Sequence, residues 1–188
     1  MTANTHEISK AIIRGLCLGG VFMLVIGVDP GASGGISVVY GEVDGFPVGC
    51  QFGGAWKIPE GESSLVALLE GLLEQSPDSC FVAYLEQVHS MPGQGVRSCF
   101  TFGKNYGLLR GVLVALGIDI VDVTPQKWQK TLGCRSGKGF TKTEHKRNLK
   151  VMAQEMCPEL KVTNATADAI LIARYGWNVE TGVYTNAK

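Results

Sequence analysis

Charge is scarce in this 188-residue chain: Asp, Glu, Lys and Arg make up 18% of it, against roughly 25% in an ordinary soluble domain. The signs also cancel, 17 bases against 17 acids, which excludes a uniformly basic coat for a polyanion. Histidine is nearly absent, with 3 residues and none at zinc-finger spacing, and none of the 6 cysteines forms a C-x-x-C pair. Several cysteines lie in apolar stretches, as buried free thiols do. A disulfide scaffold is out of place at this length, and a reducing cytoplasm is the expectation. Neither repeats nor low-complexity tracts occur. With 45% apolar residues the chain has enough material for one core, and wholesale disorder is excluded.

One long apolar run is present. Residues Ala11 to Val28 (AIIRGLCLGGVFMLVIGV) carry one charge, Arg14. That charge interrupts the run, no small-residue cleavage site follows, and the second half enters a charged turn, VDPGASGG, so a signal or membrane segment is disfavoured. Met23–Val28 reads instead as a buried first strand. Residues 1–22 are expected to be an extension outside the fold, 23–180 the domain, and 181–188 a tail.

The cancelled charge is segregated. From Thr124 to Lys150 there are eight bases and one acid, Glu144; from Glu42 to Asp78 there are seven acids and one base, Lys57. Such a division is usually a solvated face, and it also fits an anionic polymer held on one side.

Periodicity and turn residues predict three strands (23–29, Ile36–Tyr40, and one around Val48–Phe52) joined as an antiparallel meander. A helix capped by Ser63 or Ser64 follows, stopped by Pro77, then the apolar strand Cys80–Glu86. Beyond the QVHSMPGQGVRS loop come a helix over Cys99–Leu116, a strand over Asp119–Val123, and a helix opened by Thr124-Pro125. Two more helices, Thr141–Met156 and Ala165–Trp177, are separated by Pro158. The expected fold class is α/β, a mixed five-stranded sheet flanked by helices.

Three acids stand out by position. Asp29 closes the first strand before Pro-Gly, and Gly31, Gly34 and Gly35 leave the turn open to a phosphate backbone. Taken alone, an Asp there commonly serves only its turn. Glu86 ends a strand apolar enough to be buried on both faces, where a carboxylate needs a partner, a hydrogen bond or a metal. Asp168 lies among Ala165, Ala167 and Ala169 at the start of an apolar helix, either complementing the helix dipole or ligating a metal. If the strands ending at Asp29 and Glu86 are neighbours, their carboxylates repel unless a divalent cation lies between them.

The succession VIGVDPGASGGIS, VAYLEQVHSMPGQGVRSCFTFGKNYG, VDVTPQKWQK and ATADAILIARYG resembles the RuvC-type Holliday junction resolvases, in particular their phage and related bacterial branch. The resemblance runs over about residues 23–177. It implies a ribonuclease H-like fold, a homodimer, and Mg²⁺ or Mn²⁺ held by Asp29, Glu86 and Asp168. The chain departs from the family at its fourth acid, expected three to five residues before the last: Thr163, Asn164 and Ala165 stand there, and Asn164 offers only a neutral oxygen.

On this resemblance the basic segment supplies phosphate contacts, from Lys138, Lys142, Lys146 and Arg147, with Arg97, Lys104 and Arg110 flanking the loop and next helix. Met91, Phe100 and Phe102 are candidates for wedging against unstacked bases, with at least one phenylalanine expected in the core. His89 and His145 are lone histidines of a kind more often exposed than functional. Two cations roughly 3.5–4 Å apart would support in-line hydrolysis of a phosphodiester in branched DNA. Gly103, Gly107, Gly111 and Ala115 line one face of the helix after the MPGQG loop, to approach either the sheet or a twin helix in a dimer. The alternatives are a junction-binding protein with weak or lost cleavage and, less in keeping with the length, an actin-like or sugar-kinase-type nucleotide-binding domain.

Overall fold

The computed structural model describes residues 22–183, apart from 32, 45, 48, 78, 88–94, 136 and 138. The extension expected at 1–22 and the tail at 181–188 therefore lie mostly outside the described residues; Phe22 already belongs to the first strand. The elements are β1 (Phe22–Val28), β2 (Gly35–Asp44), β3 (Phe46–Pro47), β4 (Gln51–Lys57), α1 (Glu62–Glu74), β5 (Cys80–Glu86), α2 (Val96–Ala115), β6 (Asp119–Val123), α3 (Pro125–Thr131), α4 (Lys142–Met156) and α5 (Ala167–Glu180).

Five strands run β4-β2-β1-β5-β6 across one mixed sheet, with the two-residue β3 returning on the far end of β2. The first pairs are antiparallel, as short turns dictate, while β1–β5 and β5–β6 are parallel because helices carry the chain between them. The return strand expected at Val48–Phe52 lies later, at Gln51–Lys57. The reason is that β2 continues past Tyr40 to Asp44, so the chain turns back further along.

Side-chain alternation sorts the central strands between two cores. Val25, Val82 and Tyr84 point to the face covered by α3, α4 and α5, while Leu24, Ile26, Val28, Ala83 and Leu85 point to the face covered by α1 and α2. Burial on both faces explains why β1 and β5 read as continuous apolar runs.

The helix starts follow local chemistry. Thr124 caps α3 with Pro125 in its first turn, and Thr141 with Glu144 forms a capping box on α4. Neither Ser63 nor Ser64 caps α1. Gly61, at φ 97°, turns the chain into the helix ahead of Ser63, leaving both serines in the first turn. The glycines of α2 do not face the sheet: a Cβ at Gly103, Gly107 or Gly111 would meet nothing within 4 Å among the described residues. Nor are the phenylalanines core, since Phe100 is 75% exposed and the half-buried Phe102 stacks on Tyr106. Among the described residues, no helix is long and apolar enough to cross a membrane.

Candidate active site

The β1–β5 register pairs Val28 with Leu85, so the next residues, Asp29 and Glu86, leave adjacent strands side by side. Continuing the alternation of Val25 and Gly27 carries Asp29 to the α5 face, and that of Val82 and Tyr84 carries Glu86 to the same face. Asp168 lies in the first turn of the helix covering it.

Two glycines allow α5 to come close enough. A Cβ at Gly27 would overlap the Ala169 carbonyl and the Ala173 amide, and one at Gly35 would overlap the Ala165 carbonyl. The chain at the start of α5 thus lies directly on the backbones of β1 and β2, which brings Asp168 to the strand ends. The small residues expected to permit tight packing do so, and the sheet contributes matching gaps.

Asp29 also serves its own turn. Gly31 N–H donates to its Oδ1 at 2.9 Å, and Asp29 and Gly35 exchange backbone hydrogen bonds at 3.0 and 3.1 Å. A Cβ at Gly34 would overlap the Asp29 carbonyl, so this turn needs glycine there. Turn-forming and functional readings of Asp29 are therefore compatible, since Oδ2 is outside that bond.

Electrostatics bind the three acids into one unit. Glu86 is 8% exposed, and burial pushes its carboxyl up to about 7; a hydrogen bond from Trp128 opposes this, while Asp29 and Asp168 reinforce it. Trp128 Nε1–H donates to Glu86 Oε1 at 2.9 Å, from a fully buried indole. Burial and the charge of Asp29 raise Asp168 to about 6, with Lys146 pulling the other way. Asp29 is raised as well, chiefly by burial, against its Gly31 hydrogen bond and Lys146. Half-buried Cys134 lies within the field of Asp168, which adds to the effect of burial in holding its thiol protonated at neutral pH.

Three partly desolvated carboxylates, with Asp29 raising both of the others and Asp168 raising Glu86, form an anionic oxygen set, the donor type that hard divalent cations take. Among the described residues, no three His, Cys, Asp or Glu side chains form a ready-made metal-binding group. The fit to a cation therefore rests on the donor chemistry. Asn164, at the fourth-acid position, is exposed in the turn leading to α5.

Of the expected DNA-contacting residues, Arg97, Lys104, Lys142, Lys146 and Arg147 are exposed. The field of Lys146 reaches two of the acids. Lys104 instead pairs with Glu62 at 3.7 Å, while Arg110 is taken up by Asp122 and Tyr106. Lys138, His89 and Met91 lie outside the described residues. The sequence reading missed the role of Trp128. Its signal was the TPQ-W spacing itself, which places an indole on the first turn after a strand neighbouring Glu86.

Two solved structures share this architecture. RuvC of T. thermophilus in complex with a Holliday junction substrate superposes with a TM-score of 0.57, and another Thermus thermophilus RuvC structure with 0.55. Each is 16% identical, and the match covers 85% of this chain and 97% of the other. The fold is that of RuvC. It is the ribonuclease H-like α/β arrangement, with an open mixed sheet between helices. At this identity the likeness speaks for the fold alone. No protein-family model matches the sequence, and no curated protein matches it.

Proposed function

We propose that this chain is a structure-selective endodeoxyribonuclease that hydrolyses phosphodiesters in branched DNA, foremost four-way junctions, with Mg²⁺ or Mn²⁺. The observation that carries this reading is the convergence of Asp29, Glu86 and Asp168 within one another's field at the end of a RuvC-like sheet. One structural neighbour was solved in complex with a Holliday junction substrate, which supports the choice of DNA over a small molecule.

Each residue has a part in such a reaction. Asp29, Glu86 and Asp168 would hold the cation, with Asn164 adding at most a neutral oxygen. A bound divalent cation supplies Lewis-acid activation of the phosphate and of a water nucleophile. Trp128 steadies Glu86 and favours its ionised form. Lys146 opposes phosphate charge beside the acids, with Lys142 and Arg147 exposed on the same helix.

The homodimer expected from the sequence has support on α2. Val96, Phe100 and Val114 are 86%, 75% and 66% exposed, and they fall on the same helical face as the three open glycines. A second copy is the occupant we propose for that face, giving two active sites for two strands.

Nicking assays on labelled four-way, three-way and linear DNA with Mg²⁺ or Mn²⁺ test the reading. Wild type is expected to cut the four-way junction; Asp29→Asn is expected to abolish cutting while binding the junction as tightly or more tightly, because it removes a ligand and a repelling charge together. Full turnover in Asp29→Asn would remove the assigned site. The uncharged Asn164 favours a second reading, a junction binder that cuts weakly. Metal-independent binding by a wild type that never cuts would establish it.

A further inference from the structure

We infer that the cleft on the other side of the Asp29 turn takes a second phosphodiester of the bound strand, and that Glu60 and Glu62 hold its two lysines until that phosphate arrives. The inference rests on the nuclease reading, in which Lys104 is already an expected DNA contact, and adds Lys57, Glu60 and Glu62 to it. The cleft measures about 320 Å³, and Gly31 and Gly34 of the Asp29 turn form one wall. Lys57 enters from the end of β4, Glu60 from the β4–α1 connection and Glu62 from the start of α1, with Lys104 and Asn105 entering from α2. The connection is tied to the turn itself, as Ile58 N–H donates to the Gly34 carbonyl at 3.1 Å.

This cleft opens on the α1–α2 side, since Leu65 and Leu109 line it and belong to that core. Lys146 and α4 lie on the α5 side. A strand crossing the acids would thus meet cations on both sides of the reacting phosphate. The volume is at the small end of ligand sites, roughly 300–1,000 Å³, which suits a phosphate and sugar rather than a stack of bases.

Both lysines are held by carboxylates from the cleft itself. Lys57 Nζ lies 3.6 Å from Glu60 and Lys104 Nζ 3.7 Å from Glu62, with every one of these side chains at least 60% exposed. Exposed pairs of this kind hold weakly and exchange readily. A phosphodiester can displace the carboxylates, and release of its counterions favours the exchange at low salt. The paired state neutralises the cleft when no strand is present and so limits capture of unbranched duplex, which offers its phosphates along a straight path.

Fluorescence anisotropy with labelled four-way junction and linear duplex, in EDTA and over about 50 to 200 mM salt, tests this. Lys57→Ala with Lys104→Ala is expected to weaken junction binding about tenfold and to flatten the log K against log salt slope by roughly 1.8, from two contacts at about 0.9 each. Glu60→Gln with Glu62→Gln is expected to tighten binding about threefold to tenfold, more for duplex than for junction. In the double-alanine background the same glutamines should gain under about twofold, because there is no lysine left to release. Glu74→Gln, at the far end of α1, serves as the distant-charge control and should stay within about twofold of wild type.

Wild-type binding that is indifferent to loss of both lysines overturns the cleft and leaves the nuclease reading standing. A glutamine gain that persists without the lysines, or is matched by Glu74→Gln, overturns the holding role of the two acids. A wild type that binds no DNA overturns the nuclease reading, and the cleft falls with it.

Discussion

Glu86 ends a buried strand with Asp29 and Asp168 in its field and the Trp128 indole as donor, so its ionised form is held at a cost in the absence of a cation. Glu86 titrates at about 7 rather than 4.5, and Asp168 at about 6 rather than 3.8. The folded chain therefore binds more protons than the unfolded chain between those values. A raised folded-state pKa contributes stability that is complete below the unfolded value and is lost as pH rises through the folded one. For these two groups the loss runs from about pH 4 to beyond pH 7. Without divalent cations, Glu86→Gln should accordingly raise the melting temperature relative to wild type at pH 8 and have less effect at pH 5. Added Mg²⁺ should stabilise wild type more at pH 8 than at pH 5, because protons compete for the same oxygens. Differential scanning fluorimetry at both pH values, with and without Mg²⁺, reads all four cases. Equal Mg²⁺ shifts at the two pH values would mean that these carboxylates are not where the cation binds.

The acids were legible in the sequence because each terminates or opens an element with a strong local signal: an apolar strand, a Gly-rich turn, a small-residue helix. What brings them together was less legible, since it depends on backbones separated by many residues. Gly27 reads in the sequence as one small residue in an apolar strand, yet a Cβ there would run into Ala169 and Ala173 of α5. Gly27→Ala is expected to push α5 off β1 and destabilise the fold by about 1–3 kcal/mol, seen as a fall of roughly 2–4 °C in Tm per kcal/mol. It should also weaken Mg²⁺ protection, because Asp168 moves with the helix; a variant that melts like wild type would show that α5 does not sit so close to the strand. The start of α4 was legible from Thr141 and Glu144 alone, because a capping box is local chemistry. The span of β2 was not, because its extension to Asp44 depends on pairing with β1 and β3. On α4, Lys142, Lys146 and Arg147 are exposed, and the field of Lys146 reaches Asp29 and Asp168. Replacing all three by Ala should flatten the salt dependence of DNA binding by roughly 2–3, at about 0.9 per phosphate. An unchanged slope would put the DNA on another surface.

At the scale of the whole molecule, α2 presents an outward stripe of small and apolar residues. Helical spacing puts Val96, Phe100, Gly103, Gly107, Gly111 and Val114 on one stripe, at intervals of three or four residues. Periodicity in the sequence put the three glycines and Ala115 on one face but did not include Val96, Phe100 or Val114, nor say what that face meets. The structure turns it outward: the glycines have no described atom within 4 Å of a Cβ, and the three larger residues are mostly exposed. Three glycines in a helix interior cost about 1 kcal/mol each relative to Ala, and among the described residues none of the three permits a close approach that a Cβ would block. The proposed two-fold contact between copies of α2 would offset that cost by letting two backbones approach closely, with Phe100 and Val96 available to pack at the ends. Gly107→Leu separates the two consequences by sign. In an isolated subunit the leucine enters open space and improves helix propensity, so the melting temperature of dilute protein should hold or rise. In the dimer the same side chain holds the helices apart, so association should weaken by about tenfold or more, each tenfold being 1.4 kcal/mol. Light scattering and sedimentation at micromolar concentration, with and without junction DNA, read the association, and fluorimetry reads the melting. A wild type that stays monomeric even on junction DNA defeats the dimer; a dimer that survives Gly107→Leu moves the interface off α2. A lowered melting temperature in a monomeric variant would mean that the glycine face is packed against the rest of its own chain after all.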